Sequence, residues 1–357
     1  RAVNATIRVS ITTAGAQARV EIENVTAVDL LFMIDDSGSM REEQEKLRRE
    51  IPRMVTALVT GDIDGDPLTP NGLSVSSLRV GIVTSDMGVA GVGAVDPVHR
   101  AIATCGWDGT TFDAARANYG DDGLLRSVSR DTSVPGPPTT YDCDLDMDNV
   151  GDSVTAAALP GFLTFDSSGD QAAQDEFVRR VACFGNVGTG GCIFEQQLES
   201  VLKAVTPPSE SNALPGGAFH FAPGETARSL GHGHGSDPAD ANAANASWFR
   251  DDSLLAIVLV TDEDDCSASD PRVFDFGTTD AGFDDAYDVY QAQTRCIRYQ
   301  DQLVHPVDRY VRGLIARRAG HEGRLVFAAI TGVPTDLTDA EGEGVDNLDA
   351  ILADPRM

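Results

Sequence analysis

Val28-Asp29-Leu30-Leu31-Phe32-Met33-Ile34-Asp35-Asp36-Ser37-Gly38-Ser39 is the stretch that decides the fold. Residues 28–34 form a nearly continuous apolar run without period-two alternation, the pattern of a strand covered on both faces, as in a parallel sheet. The run ends abruptly in acids and hydroxyls. Over 41–59 the periodicity becomes helical: Leu47, Ile51, Met54, Val55 and Leu58 share a face, and Glu42/Lys46 and Glu45/Arg49 are spaced as i,i+4 pairs. Pro52 is expected to kink or divide this helix.

Three more apolar runs have strand length: 78–84, 254–260 and 325–330. Helical patterns lie between them: Phe177, Val178, Val181 and Phe184; Phe194, Leu198, Val201, Leu202 and Val205; Val307, Tyr310, Val311 and Leu314. Strands alternating with helices predict an α/β fold, a doubly wound, mostly parallel, Rossmann-like sheet with right-handed crossovers. Ahead of it, alternation over 5–22 predicts an N-terminal β-hairpin. The expected division is therefore a hairpin segment, 1–27, and a main domain, 28–357. Regions of about 87–172 and 206–248, rich in Gly, Pro, Asp and Ala, read as surface insertions. The start at Arg1 inside strand-like sequence implies an upstream segment, and the stop soon after the last strand implies an end inside the domain.

The chain has 357 residues, 41% of them apolar, enough for a packed core. Its net charge of −29 repels phosphate backbones and anionic lipid, so nucleic acid is a poor partner. No apolar run reaches the roughly 20 residues of a membrane helix. The six cysteines, Cys105, Cys143, Cys183, Cys192, Cys266 and Cys296, contain no CxxC pair and read as disulfides of an oxidising compartment. Of 15 possible pairings, chain proximity favours Cys183 with Cys192; Cys105 with Cys143 and Cys266 with Cys296 then follow.

Asp35-x-Ser37-x-Ser39 stands between a buried strand and a helix, at the carboxyl edge of the sheet, where open α/β sheets bind ligands. The run ending at Val260 brings Asp262, in Thr261-Asp262-Glu263-Asp264-Asp265, to the same edge. A third oxygen donor can come from the loop Gly185-Asn186-Val187-Gly188-Thr189-Gly190-Gly191. All these donors are hard oxygens, suited to Mg²⁺, Ca²⁺ or Mn²⁺ and not to zinc or copper. The competing reading is a Ser/Asp turn that merely caps the following helix.

With these residues in this order, the sequence resembles a von Willebrand factor A domain carrying a metal-ion-dependent adhesion site. In that family the D-x-S-x-S motif, a Thr from a separate loop and an Asp after a later strand surround one divalent cation. The matching positions are Asp35, Ser37, Ser39, Thr189 and Asp262. The resemblance spans 28–357 and is firmest over 28–60, 78–88 and 177–334. Three runs are similar to secreted or surface-anchored A domains of myxobacteria, gliding-motility adhesins among them: Val260-Thr261-Asp262-Glu263-Asp264-Asp265-Cys266-Ser267, Val83-Thr84-Ser85-Asp86-Met87-Gly88 and Gly191-Cys192-Ile193-Phe194-Glu195-Gln196-Gln197-Leu198-Glu199. One departure stands out: many members have Gly after the last metal Asp, where this chain has Glu263.

The resemblance implies an exported domain at the cell surface or outside the cell, with a lipoprotein anchor as one route. Its cation would hold a carboxylate of a protein ligand, without turnover. Asp36, Glu263, Asp264 and Asp265 would crowd negative charge around the ion. The alternatives are a structural subunit of a surface assembly, with a cation that stabilises the fold, and a metal-dependent hydrolase. Against the hydrolase, the sequence has no P-loop, GxSxG or HExxH.

Weaker signals remain. Asp142, Asp144, Asp146 and Asp148 alternate beside Cys143 as in a calcium loop, without the Gly and Glu of an EF-hand; Asp62, Asp64 and Asp66 do the same. Gly231-His232-Gly233-His234-Gly235 reads as a mobile glycine-rich loop rather than a metal site. Trp107 and Trp248 read as partly buried under long loops.

Overall fold

The computed structural model describes residues 5–7, 20–22, 27–62, 74–89, 120–126, 140–143, 152–155, 161–219, 231–238, 245–274 and 294–331. Strands β1 (Ala5–Ile7) and β2 (Val20–Ile22) pair antiparallel, with Thr6 opposite Glu21. Then come β3 (Ala27–Ile34), α1 (Arg41–Thr60), β4 (Ser77–Thr84), an antiparallel pair β5 (Thr140–Cys143) and β6 (Asp152–Thr155), and β7 (Leu163–Asp166). The rest is α2 (Gln171–Phe184), α3 (Gln197–Val205), β8 (Leu254–Val260), the short α4 (Arg295–Arg298) and α5 (Gln300–Leu303), α6 (Asp308–Ala316) and β9 (Leu325–Ile330).

Five strands form a mixed, mostly parallel sheet in the order β7-β4-β3-β8-β9. β3 is parallel to β4 and β8, β9 is parallel to β8, and β7 runs antiparallel on β4. The apolar run 28–34 is buried throughout because helices cover both faces. Leu30, Phe32 and Ile34 pack with Leu47, Ile51 and Val55 of α1 and with Phe177 and Val181 of α2. Leu31 and Met33 pack with Val201 and Leu202 of α3 and with Tyr310 and Leu314 of α6. Each such aliphatic contributes about 1.5–3 kcal/mol. A third cluster, with Phe194, Phe274 and Leu303, lies around the Cys266–Cys296 disulfide.

Several expectations are corrected. α1 is not divided at Pro52. The missing N–H costs about 3 kcal/mol, and burial of Leu47, Ile51, Val55 and Val59 on one face outweighs it. Phe194 precedes its helix, which starts at Gln197. On α6 the buried face is Arg309, Tyr310, Gly313 and Leu314, while Val307 and Val311 are 66% and 50% exposed.

The regions read as insertions also supply core. β7 is the fifth strand, with Leu163 and Phe165 turned inward. Trp248 is fully buried against Gly81, where a Cβ would lie 2.9 Å from the indole Nε1. His234 is buried and contacts Asp122 at 2.8 Å, while Lys203 Nζ donates to the same carboxylate at 2.5 Å. The flanking glycines are required there, since a Cβ on Gly233 would come within 2.0 Å of the Thr206 carbonyl oxygen. The His234 segment is thus a buried ion-pair anchor, not a free loop.

The Cys266–Cys296 disulfide forms, with Cα atoms 5.2 Å apart. Cys183 and Cys192 are disulfide-bonded too, although the described residues do not show these two joined to each other. Among the described residues no helix is long and apolar enough to cross a membrane.

Candidate functional site

The ends of three parallel strands are level. Ile34 pairs with Thr84 of β4 on one side and Val260 of β8 on the other. The next residue on each strand is therefore Asp35, Ser85 or Thr261, and the three side chains meet. Asp35 Oδ1 accepts from the Ser37 N–H at 2.8 Å and from Ser85 Oγ at 3.0 Å; its Oδ2 accepts from Thr261 Oγ1 at 2.7 Å. Asp35 is fully buried. The chain leaves β3 through α1 toward β4 and reaches β8 on the opposite side, so the crevice beyond β3 and β8 is a topological switch point.

The hydroxyls of the D-x-S-x-S run do not cap α1, whose N-terminus at Met40 has no side-chain cap. Ser37 Oγ instead lies 3.0 Å from Ser39 Oγ, and Ser39 Oγ donates to Asp262 Oδ1 at 3.2 Å. Residues separated by more than 200 positions therefore share one crevice. Partial burial, and then the charge of Asp35, hold the Asp262 carboxyl above the usual range against the hydrogen bond from Ser39.

The Thr189 loop is tied to this crevice at two points. The Gln44 side-chain amide donates to the Asp35 carbonyl at 2.9 Å and to the Gly188 carbonyl at 2.6 Å. Beyond Thr189, the Gly191 N–H donates to the Asp36 carbonyl at 2.7 Å. A Cβ on Gly191 would lie 2.2 Å from Asp36 Oδ1, so only glycine allows this approach. Half-buried Thr189 sits between the two ties and makes no hydrogen bond of its own among the described residues.

Further carboxylates ring the crevice. Glu195 is 8% exposed. Desolvation pushes its carboxyl up to about 10, with added repulsion from Asp35, Glu263 and Asp36. Burial, then Asp262, Asp35 and Asp264, raise Glu263. Asp265 has a different task. Its Oδ1 accepts from the Leu198 N–H at 2.9 Å at the start of α3 and from Ser267 Oγ at 2.8 Å. Burial, partly offset by these bonds, pushes its carboxyl up to about 6. Among the described residues no Lys, Arg or His pairs with Asp35, Glu195, Asp262 or Glu263.

Five expected ligands thus lie on loops that converge, and their donors are carboxylate and hydroxyl oxygens. Among the described residues no group of three or more His, Cys, Asp or Glu side chains is arranged to hold a metal ion. The expected set has two carboxylates, Asp35 and Asp262, and depends on hydroxyls for the rest. Donors of this kind fit a hard dication that keeps bound water.

Sequence reasoning missed Ser85, Thr261 and Gln44 as parts of the site. The first two were legible as the residues that follow runs 78–84 and 254–260, once these are aligned with 28–34. Gln44 gives no sequence signal, because its role depends on a carbonyl 144 positions away. Asp142 lies on β5, while Asp144, Asp146 and Asp148 lie outside the described residues, as do Asp64, Asp66, Trp107 and Cys105.

Compared with known proteins, the chain matches no family model, no curated protein and no solved structure.

Proposed function

We propose that the chain is a binding module of the von Willebrand factor A type, with a Rossmann-like doubly wound sheet and a metal-ion-dependent adhesion site. Asp35, Ser37, Ser39, Thr189 and Asp262 would hold one divalent cation, Mg²⁺ or Ca²⁺, with Mn²⁺ as a substitute. The observation that carries this reading is the contact between Ser39 and Asp262 across the switch point, beside a buried Asp35 that only neutral donors hold. When bound, the cation supplies a Lewis-acidic face for a carboxylate oxygen from a partner protein. Asp35 and Asp262 would balance its charge. Gln44 and Gly191 hold the Thr189 loop in place.

The reading is one of binding rather than turnover. His234 and Lys203, obvious candidates for acid/base work, are engaged with Asp122 in the core. The disulfides support an exported protein at the cell surface or beyond it.

Calorimetric titration of the chelator-treated chain with Mn²⁺, Mg²⁺ or Ca²⁺ tests the site. One cation per chain is expected, lost in Asp262→Ala. Glutarate, as a carboxylate probe, should then displace water from the Mn²⁺ complex, read by proton relaxation. Cation binding that is unchanged in Asp262→Ala contradicts the reading.

A second reading, a surface-assembly subunit whose cation stabilises the fold, is favoured by the exposed apolar side chains of α6 and β9, Val307, Val311, Ile315, Phe327 and Ile330. Self-association that persists in chelator while the Tm falls would support it.

A further inference from the structure

We propose that Lys203 and Asp122 react with each other to form an intramolecular isopeptide bond, a single self-modification of the folded chain in which His234 assists. The assignment goes beyond the cation site and does not depend on it. It also explains why a lysine, an aspartate and a histidine from three separate segments are gathered where water is absent: Lys203 is 0% exposed, Asp122 2% and His234 6%.

The geometry is that of reactants held in contact. Lys203 Nζ lies 2.5 Å from Asp122 Oδ1, and His234 Nε2 lies 2.8 Å from Oδ2. With the Oδ1–Cγ bond at about 1.2 Å, the nitrogen is within about 3.7 Å of the carbon it would attack. An ionised carboxylate only accepts, so His234 Nε2 carries the proton of its hydrogen bond. Backbone contacts fix all three groups. The His234 N–H donates to the Lys203 carbonyl at 2.9 Å, and the Asn245 side-chain amide donates to the Gly123 and Ala204 carbonyls at 3.0 and 3.2 Å. A Cβ on Gly123 would lie 2.8 Å from the Ser200 carbonyl oxygen, so the loop is pressed onto α3. Asp122 itself has φ 59°, a region costly for a residue with a Cβ. On its other side the Lys203 ammonium faces the Phe219 ring, 5.6 Å from its centroid.

The reaction balances within the pair. The ammonium passes one proton to Oδ1, leaving an amine and a carboxylic acid. The amine lone pair then attacks Cγ and forms the C–N bond, while the negative charge that develops on Oδ2 is held by the His234 N–H. A second proton moves from the nitrogen to Oδ1, the C–Oδ1 bond breaks, and water leaves; the amide nitrogen keeps the third hydrogen. No oxidant, nucleotide or cofactor is consumed. Hydration favours the separated ions in bulk water, but burial removes it and leaves a charged pair that is costly to keep. Held contact of this kind is worth an effective concentration of about 10⁵–10⁸ M. The buried pairs Arg250–Asp29 and Arg309–Glu199 are inert by comparison, because a guanidinium does not give up its proton. Among the described residues Lys203 is the buried pair member with a nucleophilic amine. Its bond would join positions 81 apart and tie the stretch carrying β5, β6, β7 and α2 to α3.

Intact mass spectrometry of the full chain, folded first and then reduced and denatured, tests this. Wild type should be lighter than its reduced sequence by the mass of one water molecule, and digestion should give a branched peptide that joins Lys203 to Asp122 and survives reductant. Lys203→Met and Asp122→Ala should each have the mass their sequences require. His234→Gln keeps the reacting pair and should slow bond formation by about a hundredfold, read as unbonded chains that convert with time. A wild-type mass equal to the reduced sequence overturns the proposal, as does a water loss located at other residues or retained in Asp122→Ala. An unchanged rate in His234→Gln overturns the part given to that residue. The wild-type mass decides without any variant having to fold, and no cation enters the measurement, so failure here leaves the cation site standing and failure of the cation site leaves this result standing.

Discussion

β3 has a buried aspartate near its start and another just past its end, and the two are treated in opposite ways. Asp29 and Asp35 are both fully buried. Asp29 is clamped by Arg250, whose Nη2 and Nε donate to Oδ1 at 2.6 and 2.8 Å, while the Arg250 N–H and Ser253 Oγ donate to Oδ2 at 2.7 and 2.5 Å. Arg318 joins the same network through Ser253. Asp35 receives three hydrogen bonds, all from neutral groups, with Asp262, Glu195 and Glu263 nearby. A buried anion needs compensation. At the amino edge the chain supplies it with guanidinium groups. At the carboxyl edge the described residues supply none, which is the physical reason to expect an ion from outside.

The contrast is most easily broken at the amino edge. Arg250→Ala should destabilise the chain by about 3–5 kcal/mol, the usual loss when one partner of a buried pair is removed. Denaturant unfolding checks this, and divalent cations should not restore the loss. Gly191→Ala perturbs the other edge, since its Cβ has no room beside Asp36. We expect a cost of about 1–3 kcal/mol and a lower cation affinity, measured by calorimetry, as the Thr189 loop shifts.

The contrast also has a pH signature. The Glu195 carboxyl stands at about 10 in the folded chain, against about 4.3 unfolded. A raised carboxyl contributes stability that is fully present below the unfolded value and lost as pH rises through the folded one. In chelator the Tm should therefore fall as pH rises above about 4.3, and Glu195→Gln should flatten that slope, with a higher Tm than wild type at pH 8 and little difference at pH 4. The smallest effect belongs to the exposed Glu45–Arg49 pair of α1, 2.6 Å apart: Glu45→Ala should change stability by no more than about 0.5 kcal/mol, at either edge's expense equally.

Much of the sheet could be read from composition along the chain, because β3, β4, β8 and β9 are apolar runs whose character does not depend on their neighbours. β7 could not. Its Leu163 and Phe165 alternate with exposed Thr164 and Asp166 in only four residues, inside a region dominated by turn formers. The convergence of Asp35 and Asp262 followed from their place after parallel strands. What stayed hidden were interactions between remote polar groups. Gln44 reaching Gly188, Asp265 capping α3 and His234 pairing with Asp122 depend on positions fixed only after the core has packed. The charged surplus near Asp262 reads as uniform in sequence, yet the structure separates it into a crevice group and a helix cap.

The central claim is that a divalent cation completes the carboxyl edge as Arg250 completes the amino edge. Thermal unfolding of wild type and Asp35→Asn, each in chelator and in Mg²⁺ or Ca²⁺, tests it most directly. Wild type should gain about 2.7 kcal/mol at a hundredfold excess of cation over its Kd, and Asp35→Asn should gain almost nothing. Equal stabilisation of the two proteins, or none in wild type, would contradict the account.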